Sequence, residues 1–457
     1  MEANQTGLLE FLSKAKTIFS IPVYQRNYDW KQEHCEKLFS DIEKLAINKK
    51  ESNKKESNKK DIEHFLGTIV YVYKKSKKNG HFTYTIIDGQ QRITSISLLL
   101  LAIRDFIEDE NKKNDIELNL INTIFKGKDT YYKLKLVEKD MEYYINLIDK
   151  KNIINNNNSK GSKTNNIIDN YNLFMRLLKE SKIDVLEILN TIDSLVVVYI
   201  KLENKPSEDP QMIFESLNST GLSLTQSDLV RNYLLMNQAV EQQEFLYKEY
   251  WLKIENNVTN SKLSDFIRDF LTMKLSIIPN KDKVYESFKI FHEDYDNSCY
   301  KDGILEELHE FSCYYHQFLY CDSSSEDINY RLKQFKILKN ETCYPPLLDI
   351  FNDYYKYKKL SEQDLVNSMK VLISYIYRRL VCNYSSNALN KVFASLNIEI
   401  KNSEEILYQD KLLDVISKKV ATSKFPKNSE FKEAFVNLKL YKNKYNKYTL
   451  ILLEDYM

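Results

Sequence analysis

The pattern of apolar and polar positions divides the chain into an N-terminal part with strand periodicity and a longer part with helix periodicity. Residues 65–75 and 81–88 alternate aromatic or β-branched residues with polar ones around Asn79-Gly80, which predicts a β-hairpin. A helix is predicted from about residue 90 to 109, because its apolar residues recur at helical spacing. The β-branched run at 195–202 predicts a further strand, and almost everything beyond it reads as helix.

This order of elements predicts an α+β domain over residues 1–205, a small mixed sheet with helices, followed by a mostly α-helical domain over residues 206–457. Two polar stretches interrupt the first domain, NKKESNKKESNKK at 48–60 and KNIINNNNSKGSKTNN at 151–166. Such stretches hold too few apolar residues to pack, so both are predicted to be flexible, solvated insertions.

Composition narrows the function classes only loosely. The formal net charge is +1, so any contact with nucleic acid must come from local basic patches. Six cysteines without a C-x-x-C pair favour reduced thiols over a metal site or a disulfide framework. The N-terminus has no export leader, and the longest apolar stretch, 96–103, is too short to span a bilayer. We therefore expect a cytoplasmic protein with no membrane partner.

The most informative string is Asp88-Gly89-Gln90-Gln91-Arg92, which stands between the predicted hairpin and the predicted helix. The first N–H groups of a helix lack intrahelical partners and carry partial positive charge, so this turn could bind phosphate. Arg92 could hold the same anion with two hydrogen bonds, and Gly89 would allow close approach of a ligand. Alternatively, Asp88 and Gln91 form a capping box that only starts the helix.

A second polar string, IPVYQRNYDW at 21–30, precedes another predicted helix. Pro22 favours an extended backbone, which would turn alternate side chains toward one cleft. Four side chains there suit a modified base or a backbone phosphate of DNA: Tyr24, Gln25, Arg26 and Trp30. The alternative is that Tyr28 and Trp30 fasten the following helix to the core.

A third polar string covers residues 214–225 and continues to Asp228, Arg231 and Asn232. Five of these residues could close over a bound nucleotide from the helical side: Asn218, Thr220, Asp228, Arg231 and Asn232. The competing interpretation is a capped helical turn with one buried ion pair, since Thr225 and Asp228 have capping-box spacing. The sequence leaves both interpretations open.

These three strings, in this order, resemble the DGQQR family, the N-terminal specificity and nucleotide-hydrolysing part of GmrSD-like, modification-dependent (type IV) restriction systems. The resemblance implies a ParB- or sulfiredoxin-like core that binds a nucleoside triphosphate, ATP or GTP, with or without Mg²⁺. On general phosphoryl-transfer logic, Arg92 would neutralise phosphate charge and Gln90 or Gln91 would orient water. Asp88 would align the turn or a magnesium ion, and Thr94 or Ser95 would add a hydroxyl.

Single-chain members of that family also carry an HNH-type nuclease domain, which needs histidine, whereas the last of the six histidines here is His316. We therefore expect no nuclease activity from this chain: the nuclease is a separate chain, the sequence is a shortened form, or the protein acts without one. The implied function is an antiphage defence protein that hydrolyses nucleoside triphosphate and senses modified or foreign DNA. The alternatives are a non-hydrolysing DNA- or protein-binding module of a restriction complex and a purely structural protein.

Overall fold

A computed structural model describes most of the chain. The described residues are 1–54, 64–76, 80–123, 131–150, 165–203, 209–218, 224–236, 238–296, 303–442 and 445–456. The chain divides into two compact units, residues 1–224 with 232–239 and residues 225–231 with 240–457.

The first unit is built on a six-stranded mixed sheet. Its strands are β1 (Glu2–Gly7), β2 (Thr17–Ser20), β3 (His64–Lys75), β4 (Phe82–Asp88), β5 (Leu134–Lys135) and β6 (Leu195–Leu202). Their order across the sheet is β1-β6-β3-β4-β2-β5. β3 and β4 pair antiparallel, as the hairpin pattern predicts, and β6 joins parallel to β3. The predicted α+β class is thus confirmed.

Helices cover this sheet. They are α1 (Leu8–Ser13), α2 (Gln32–Lys54), α3 (Gln90–Phe106), α4 (Glu110–Glu117), α5 (Glu138–Ile148), α6 (Asn166–Glu180), α7 (Val185–Ile192) and α8 (Pro210–Asn218). The central helix is α3, whose residues 98–103 are fully buried. It ends three residues before Asp109, because the Asp109 side chain accepts the N–H groups of Asn111 and Lys112 and caps α4 instead. In addition, α8 packs against β4, so the first unit extends beyond residue 205.

Both predicted flexible insertions are partly wrong. Residues 48–54 continue α2, and the Lys50 ammonium lies 3.1 Å from the Glu187 carboxylate of α7, which ties the end of this helix to the unit. Asn165 is the N-cap of α6, and its side chain accepts the Ile167 N–H at 2.8 Å. The remaining parts of the predicted insertions, 55–60 and 151–164, lie outside the described residues.

The rest of the chain is helical, as predicted. Its helices are α9 (Gln226–Leu235), α10 (Val240–Leu246), α11 (Leu252–Asn257), α12 (Asn260–Leu275), α13 (Val284–Asp296), α14 (Gly303–Tyr320), α15 (Glu326–Ile337), α16 (Tyr344–Tyr355), α17 (Glu362–Val381), α18 (Asn387–Lys401), α19 (Tyr408–Ser417), α20 (Asn428–Val436) and α21 (Asn446–Tyr456). A π-helical turn, Tyr247–Trp251, joins α10 to α11. Among the helices described here, none combines the length and the apolar character needed to cross a membrane.

The second unit contains an unusual carboxyl group between two of its helices. Asp269 lies on α12, and the Tyr315 hydroxyl of α14 donates a hydrogen bond to its Oδ2 at 3.1 Å. Burial raises the pKa of Asp269 to about 8. The carboxyl is therefore largely protonated at neutral pH in the folded protein, whereas an unfolded chain would ionise it near pH 4.

We expect Asp269→Asn to flatten the pH dependence of stability. Because the pKa is raised in the folded state, the stability that Asp269 contributes is fully present below pH 4 and is lost as pH rises toward 8. The free energy of unfolding should fall by up to about 1.4 kcal/mol per pH unit in this window in wild type, and less steeply in the variant. Urea unfolding from pH 5 to 8, followed by Trp251 fluorescence in a Trp30→Phe background, measures this difference. Parallel profiles for the two proteins would contradict the assignment.

Candidate functional site

The turn between β4 and α3 is tightly constrained. Gly89 has a φ of +94° and is the N-cap of α3. A Cβ atom at Gly89 would lie 3.1 Å from the Thr68 carbonyl oxygen and 3.2 Å from Ile69 Cγ1. Both the positive φ and the close approach to β3 therefore require glycine. Asp88 is the last residue of β4 and does not cap the helix, so the capping-box interpretation of Asp88 and Gln91 is wrong.

The helix begins without a side-chain cap. The first helical backbone bond runs from the Ile93 N–H to the Gly89 carbonyl oxygen at 3.1 Å. Within the part of the chain that the structure describes, no side chain accepts the N–H groups of residues 90–92. The Asp88 carboxylate is half-buried and likewise has no ion-pair partner among these residues. The first turn of α3 thus has backbone donors without a described acceptor and the positive end of a helix dipole, and Arg92 is its half-buried residue.

Arg92 lies across a glycine of β3. Its Nη1 donates to the Thr68 carbonyl oxygen at 3.0 Å, and a Cβ atom at Gly67 would lie 2.9 Å from its Cζ. Gly67 has a φ of +136° and stands where the register of β3 against β6 shifts. The half-buried guanidinium has no carboxylate within 4.0 Å among the described residues. Its position is fixed by a neutral carbonyl, and none of the described carboxylates neutralises its charge.

The two glutamines of the motif hold the segment 24–30 against the turn. Gln91 Oε1 accepts the backbone N–H groups of Asp29 at 2.8 Å and Trp30 at 3.2 Å, and its amide donates to the Asn27 carbonyl at 3.3 Å. The Gln90 amide donates to Gln25 Oε1 at 3.0 Å. Both glutamines are buried, so the sequence motif encodes a scaffold as well as a candidate phosphate site.

The segment 24–30 begins with a turn rather than with an extended run. The Gln25 N–H bonds to the Pro22 carbonyl at 3.0 Å in a turn, so the extended backbone expected from Pro22 is wrong. Tyr24 and Gln25 are buried, and the Gln25 amide donates to the Ile87 carbonyl at 3.0 Å. Of the four predicted DNA contacts, Arg26 and Trp30 are the ones that reach solvent.

Tyr28 fastens this segment to the core, as the alternative interpretation expected. Its hydroxyl lies 2.7 Å from Ser95 Oγ and accepts the Asn170 amide of α6 at 3.1 Å. Burial raises the pKa of the Tyr28 hydroxyl, which therefore stays protonated. Its backbone N–H donates to the buried Asp140 carboxylate at 2.6 Å, and burial raises the pKa of that carboxyl.

The two hydroxyls predicted as nucleotide ligands point into the protein. Thr94 Oγ1 donates to the Gln90 carbonyl of its own helix at 2.9 Å, and Thr94 is only 1% exposed. Ser95 is 0% exposed and is engaged with Tyr28. In this arrangement neither hydroxyl faces the turn, because positions 94 and 95 fall on the buried side of α3. Gly89 alone among the predicted cofactor contacts 89, 94 and 95 lies at the helix start.

The third string does not present a free cation. Arg231 donates to Glu255 and Asp228, both at 2.8 Å, and the pair of carboxylates raises its pKa against the effect of burial. Thr225 and Asp228 exchange the two hydrogen bonds of a capping box, with the Thr225 N–H at 3.2 Å and the Asp228 N–H at 3.1 Å. The interpretation as a capped turn with a buried ion pair is thus confirmed. Asn218 is the last residue of α8, and Thr220 lies outside the described residues.

Sequence reasoning missed the residues that fix the site from outside the motif. Gly67 and Thr68 position Arg92, and Asn166 and Asn170 of α6 bond to the carbonyls of Tyr28 and Trp30 at 3.0 and 2.8 Å. A glycine inside a strand pattern is a signal of close backbone approach and could have identified Gly67. Asn166 carried no comparable signal, since it read as the end of the low-complexity stretch 151–166.

Comparison with known protein families identifies the first unit. Residues 8–235 match the family model described as "GmrSD restriction endonuclease, N-terminal domain". This range contains the whole sheet apart from β1, the turn at residues 88–92 and the segment 24–30. No curated protein sequence matches the chain.

Gln91→Ala should destabilise the first unit. It leaves the part-buried N–H groups of Asp29 and Trp30 without their acceptor, at a cost of about 0.5–1.5 kcal/mol for each lost hydrogen bond. The emission of Trp30 should shift as its segment loosens. Chemical unfolding and fluorescence of wild type, Gln91→Ala and the exposed control Gln32→Ala provide the measurement. Equal stability of all three proteins would show that Gln91 does not fix the segment.

Proposed function

Residues 8–235 belong to the family of GmrSD N-terminal domains, and on this basis we propose that the chain is a nucleotide-hydrolysing defence protein. Membership suggests a restriction or defence role that involves DNA. The nucleotide binds at the turn of residues 88–92, and its hydrolysis is linked to sensing modified or foreign DNA. A nuclease supplied by another chain would do the cutting.

The observation that carries the proposal is the combination at one helix start of free donors and an unneutralised cation. An uncapped N-terminus supplies backbone N–H groups and a favourable dipole for phosphate. Arg92 adds a guanidinium that no described carboxylate neutralises. A guanidinium that is held in place by a carbonyl, without a described carboxylate beside it, has donors that suit an anionic ligand such as phosphate.

The roles of the motif residues follow from their contacts. Arg92 would neutralise charge that develops on the polyphosphate, and Gly89 would let the backbone approach it. Gln90 and Gln91 would hold the turn and the segment 24–30 in place. Asp88 has a free carboxylate and could hold Mg²⁺ together with phosphate oxygens, a mode that needs only one or two protein carboxylates. Among the described residues, no group of three or more His, Cys, Asp or Glu side chains is placed to hold a metal ion.

DNA contact is proposed for the surface side of the segment 24–30. Arg26 is 21% exposed and stands 3.9 Å from the Asp29 carboxylate, a separation that leaves the guanidinium free to turn toward a phosphate. Trp30 is half-buried and stacks on His34 at 5.8 Å. Tyr24 and Gln25, being buried, would support these contacts rather than make them.

A second candidate is a domain that binds nucleotide without hydrolysing it. The observation in its favour is that both motif glutamines are engaged inside the protein, so neither is poised to orient a water molecule. Measurement of phosphate release separates the two candidates, since nucleotide binding without turnover would support the second.

Arg92→Ala should abolish hydrolysis of ATP or GTP, by at least about 100-fold, because it removes the cation that faces the phosphates. The fold should survive, since the side chain makes one hydrogen bond to a carbonyl. Phosphate release is measured for wild type, Arg92→Ala and the surface control Lys44→Ala, with and without phage DNA that carries modified bases. Turnover by a folded Arg92→Ala protein would refute the assignment.

A glycine pair tests the same site without touching its charge. Gly67→Ala, at a φ of +136°, forces the guanidinium away from the Thr68 carbonyl, whereas Gly80→Ala, at a φ of +63°, adds a Cβ in open space. Both variants bear backbone strain, and only the first displaces Arg92. Nucleotide affinity should therefore fall in Gly67→Ala alone.

Arg26→Ala should weaken DNA binding uniformly across sequences. Loss of one phosphate contact lowers the slope of log affinity against log salt concentration by about 1. The slope for wild type and variant is measured by fluorescence anisotropy of a labelled duplex at salt concentrations from about 50 to about 200 mM. An unchanged slope would place the DNA contact elsewhere.

A further inference from the structure

One part of the second unit carries a concentration of positive charge. The basic segment, residues 418–447, contains nine lysines and two acidic residues, which give it a formal charge of +7. The formal charge of the whole chain is +1, so the rest of the sequence is acidic on balance. A chain of nearly neutral total charge can contact nucleic acid through a local excess of this kind.

The fold gathers the basic segment around the C-terminal end of α17. The Tyr377 ring of α17 lies 5.9 Å from the Phe431 ring of α20 and 4.8 Å from the Tyr448 ring of α21. Just before α21, the Tyr445 hydroxyl donates to the Leu380 carbonyl of α17 at 3.0 Å. The lysines of α20, of α21 and of the chain between them therefore lie at one end of the unit.

Two arginines in the last turn of α17 add to this positive charge. The half-buried Arg378 donates to Asn428 Oδ1 at 2.6 Å. Its guanidinium lies 5.4 Å from the ring centroid of Phe425 and 5.1 Å from that of Phe431. Arg379 is buried and donates to two backbone carbonyls. Among the described residues, no carboxylate lies within 4.0 Å of either guanidinium, so neutral groups hold both cations.

The outer side of the basic segment presents ammonium groups that are available to a ligand. Three of its lysines, 418, 419 and 424, are paired with carboxylates. Next to one of the unpaired lysines stands Tyr441, which is 84% exposed and whose hydroxyl can donate to a phosphate oxygen. Four lysines are exposed and have no ion pair within the described part of the chain: Lys427, Lys432, Lys442 and Lys447.

This surface suits the phosphate backbone of DNA. Gathered like charges repel one another and oppose folding, and a polyanion relieves that repulsion. Lysine contacts a phosphate as a point charge and carries no information about the base sequence. Unpaired ammonium groups break no ion pair when they bind, and the release of counterions from DNA favours the complex at low salt. An anionic membrane would attract the same groups, but the family of the first unit favours DNA as the polyanion.

We propose that the basic segment binds the phosphate backbone of double-stranded DNA independently of base sequence. The inference rests on the proposed DNA-sensing function and assigns to the second unit a contact that holds the duplex. The four exposed lysines touch the phosphates. Arg378 acts as a positioning residue, because it holds the first residue of α20 against α17.

The test measures how the affinity of the full chain for a labelled duplex depends on salt concentration. The four-lysine variant combines Lys427→Gln, Lys432→Gln, Lys442→Gln and Lys447→Gln. Its control carries the same number of changes at exposed lysines elsewhere in the second unit: Lys281→Gln, Lys283→Gln, Lys333→Gln and Lys358→Gln. Both variants lose four charges, so a difference between them reports the place of the charge.

Each lost phosphate contact lowers the slope of log affinity against log salt concentration by about 0.9. We therefore expect the slope to fall by about 3 to 4 in the four-lysine variant and by less than about 1 in the control. The affinity of the four-lysine variant should fall at least about tenfold at low salt, equally for two duplexes of unrelated sequence. If this variant fails to fold, the pair Lys432→Gln and Lys447→Gln should lower the slope by about 2.

An unchanged slope in the four-lysine variant, or an equal reduction in the variant and its control, would overturn the inference. Vesicles of phosphatidylserine and phosphatidylcholine are tested in parallel. Vesicle binding that depends on the four lysines, together with unchanged affinity for DNA, would assign the surface to a membrane instead.

The inference and the proposed function fail separately. If wild type binds the duplex and the four-lysine variant binds it equally well, the inference fails while DNA sensing stands. If wild type binds no duplex even at about 50 mM salt, both the inference and the DNA-sensing part of the proposal fail. Phosphate release in the absence of DNA is measured independently of either result.

Discussion

The packing of the Gly89 backbone against β3 is the constraint on which the rest of the site depends. The chain leaves β4 at a positive φ and passes close to β3. A Cβ atom added at Gly89 would lie 3.1 Å from the Thr68 carbonyl oxygen. Because a strand and a buried helix meet at this one residue, the turn has no freedom to shift. The same carbonyl accepts the Arg92 guanidinium, so the backbone contact and the position of the cation are fixed together.

A second constraint follows along the helix. Gln91 lies on the inner side of the first turn of α3, where its amide satisfies three backbone groups of residues 27–30. Asn166 and Asn170 hold the same short segment from α6. The segment thus has no regular secondary structure and yet is held by side chains on two sides. Through Gln90 and Gln91 it is bound directly to the turn, so the position of the segment and that of the candidate phosphate site depend on each other.

The hairpin, the strand at 195–202 and the helical remainder were predictable, because each shows a clear apolar period. β1 was not, since its residues EANQTG are polar and pair with β6 through backbone bonds that leave no pattern of burial. The sequence motif located the site along the chain, but it predicted only part of the arrangement of its side chains. Gln90, Gln91, Thr94 and Ser95 are polar residues in sequence, but the depth of α3 in the core decides that their side chains serve the protein itself. Sequence alone does not give that depth.

A comparison of two arginines shows that residue type alone does not determine function. Arg231 is 6% exposed and lies between Asp228 and Glu255, and removing it from them would leave buried carboxylates uncompensated. It is therefore committed to the packing of its own unit. Arg92 has the opposite surroundings, a neutral carbonyl, an adjacent glycine and a helix start without a cap. An anion would gain little binding energy from Arg231, whose charge is already balanced by two carboxylates, and much more from Arg92. The difference in neutralisation, rather than the presence of arginine, makes the turn the place where phosphate chemistry is to be sought.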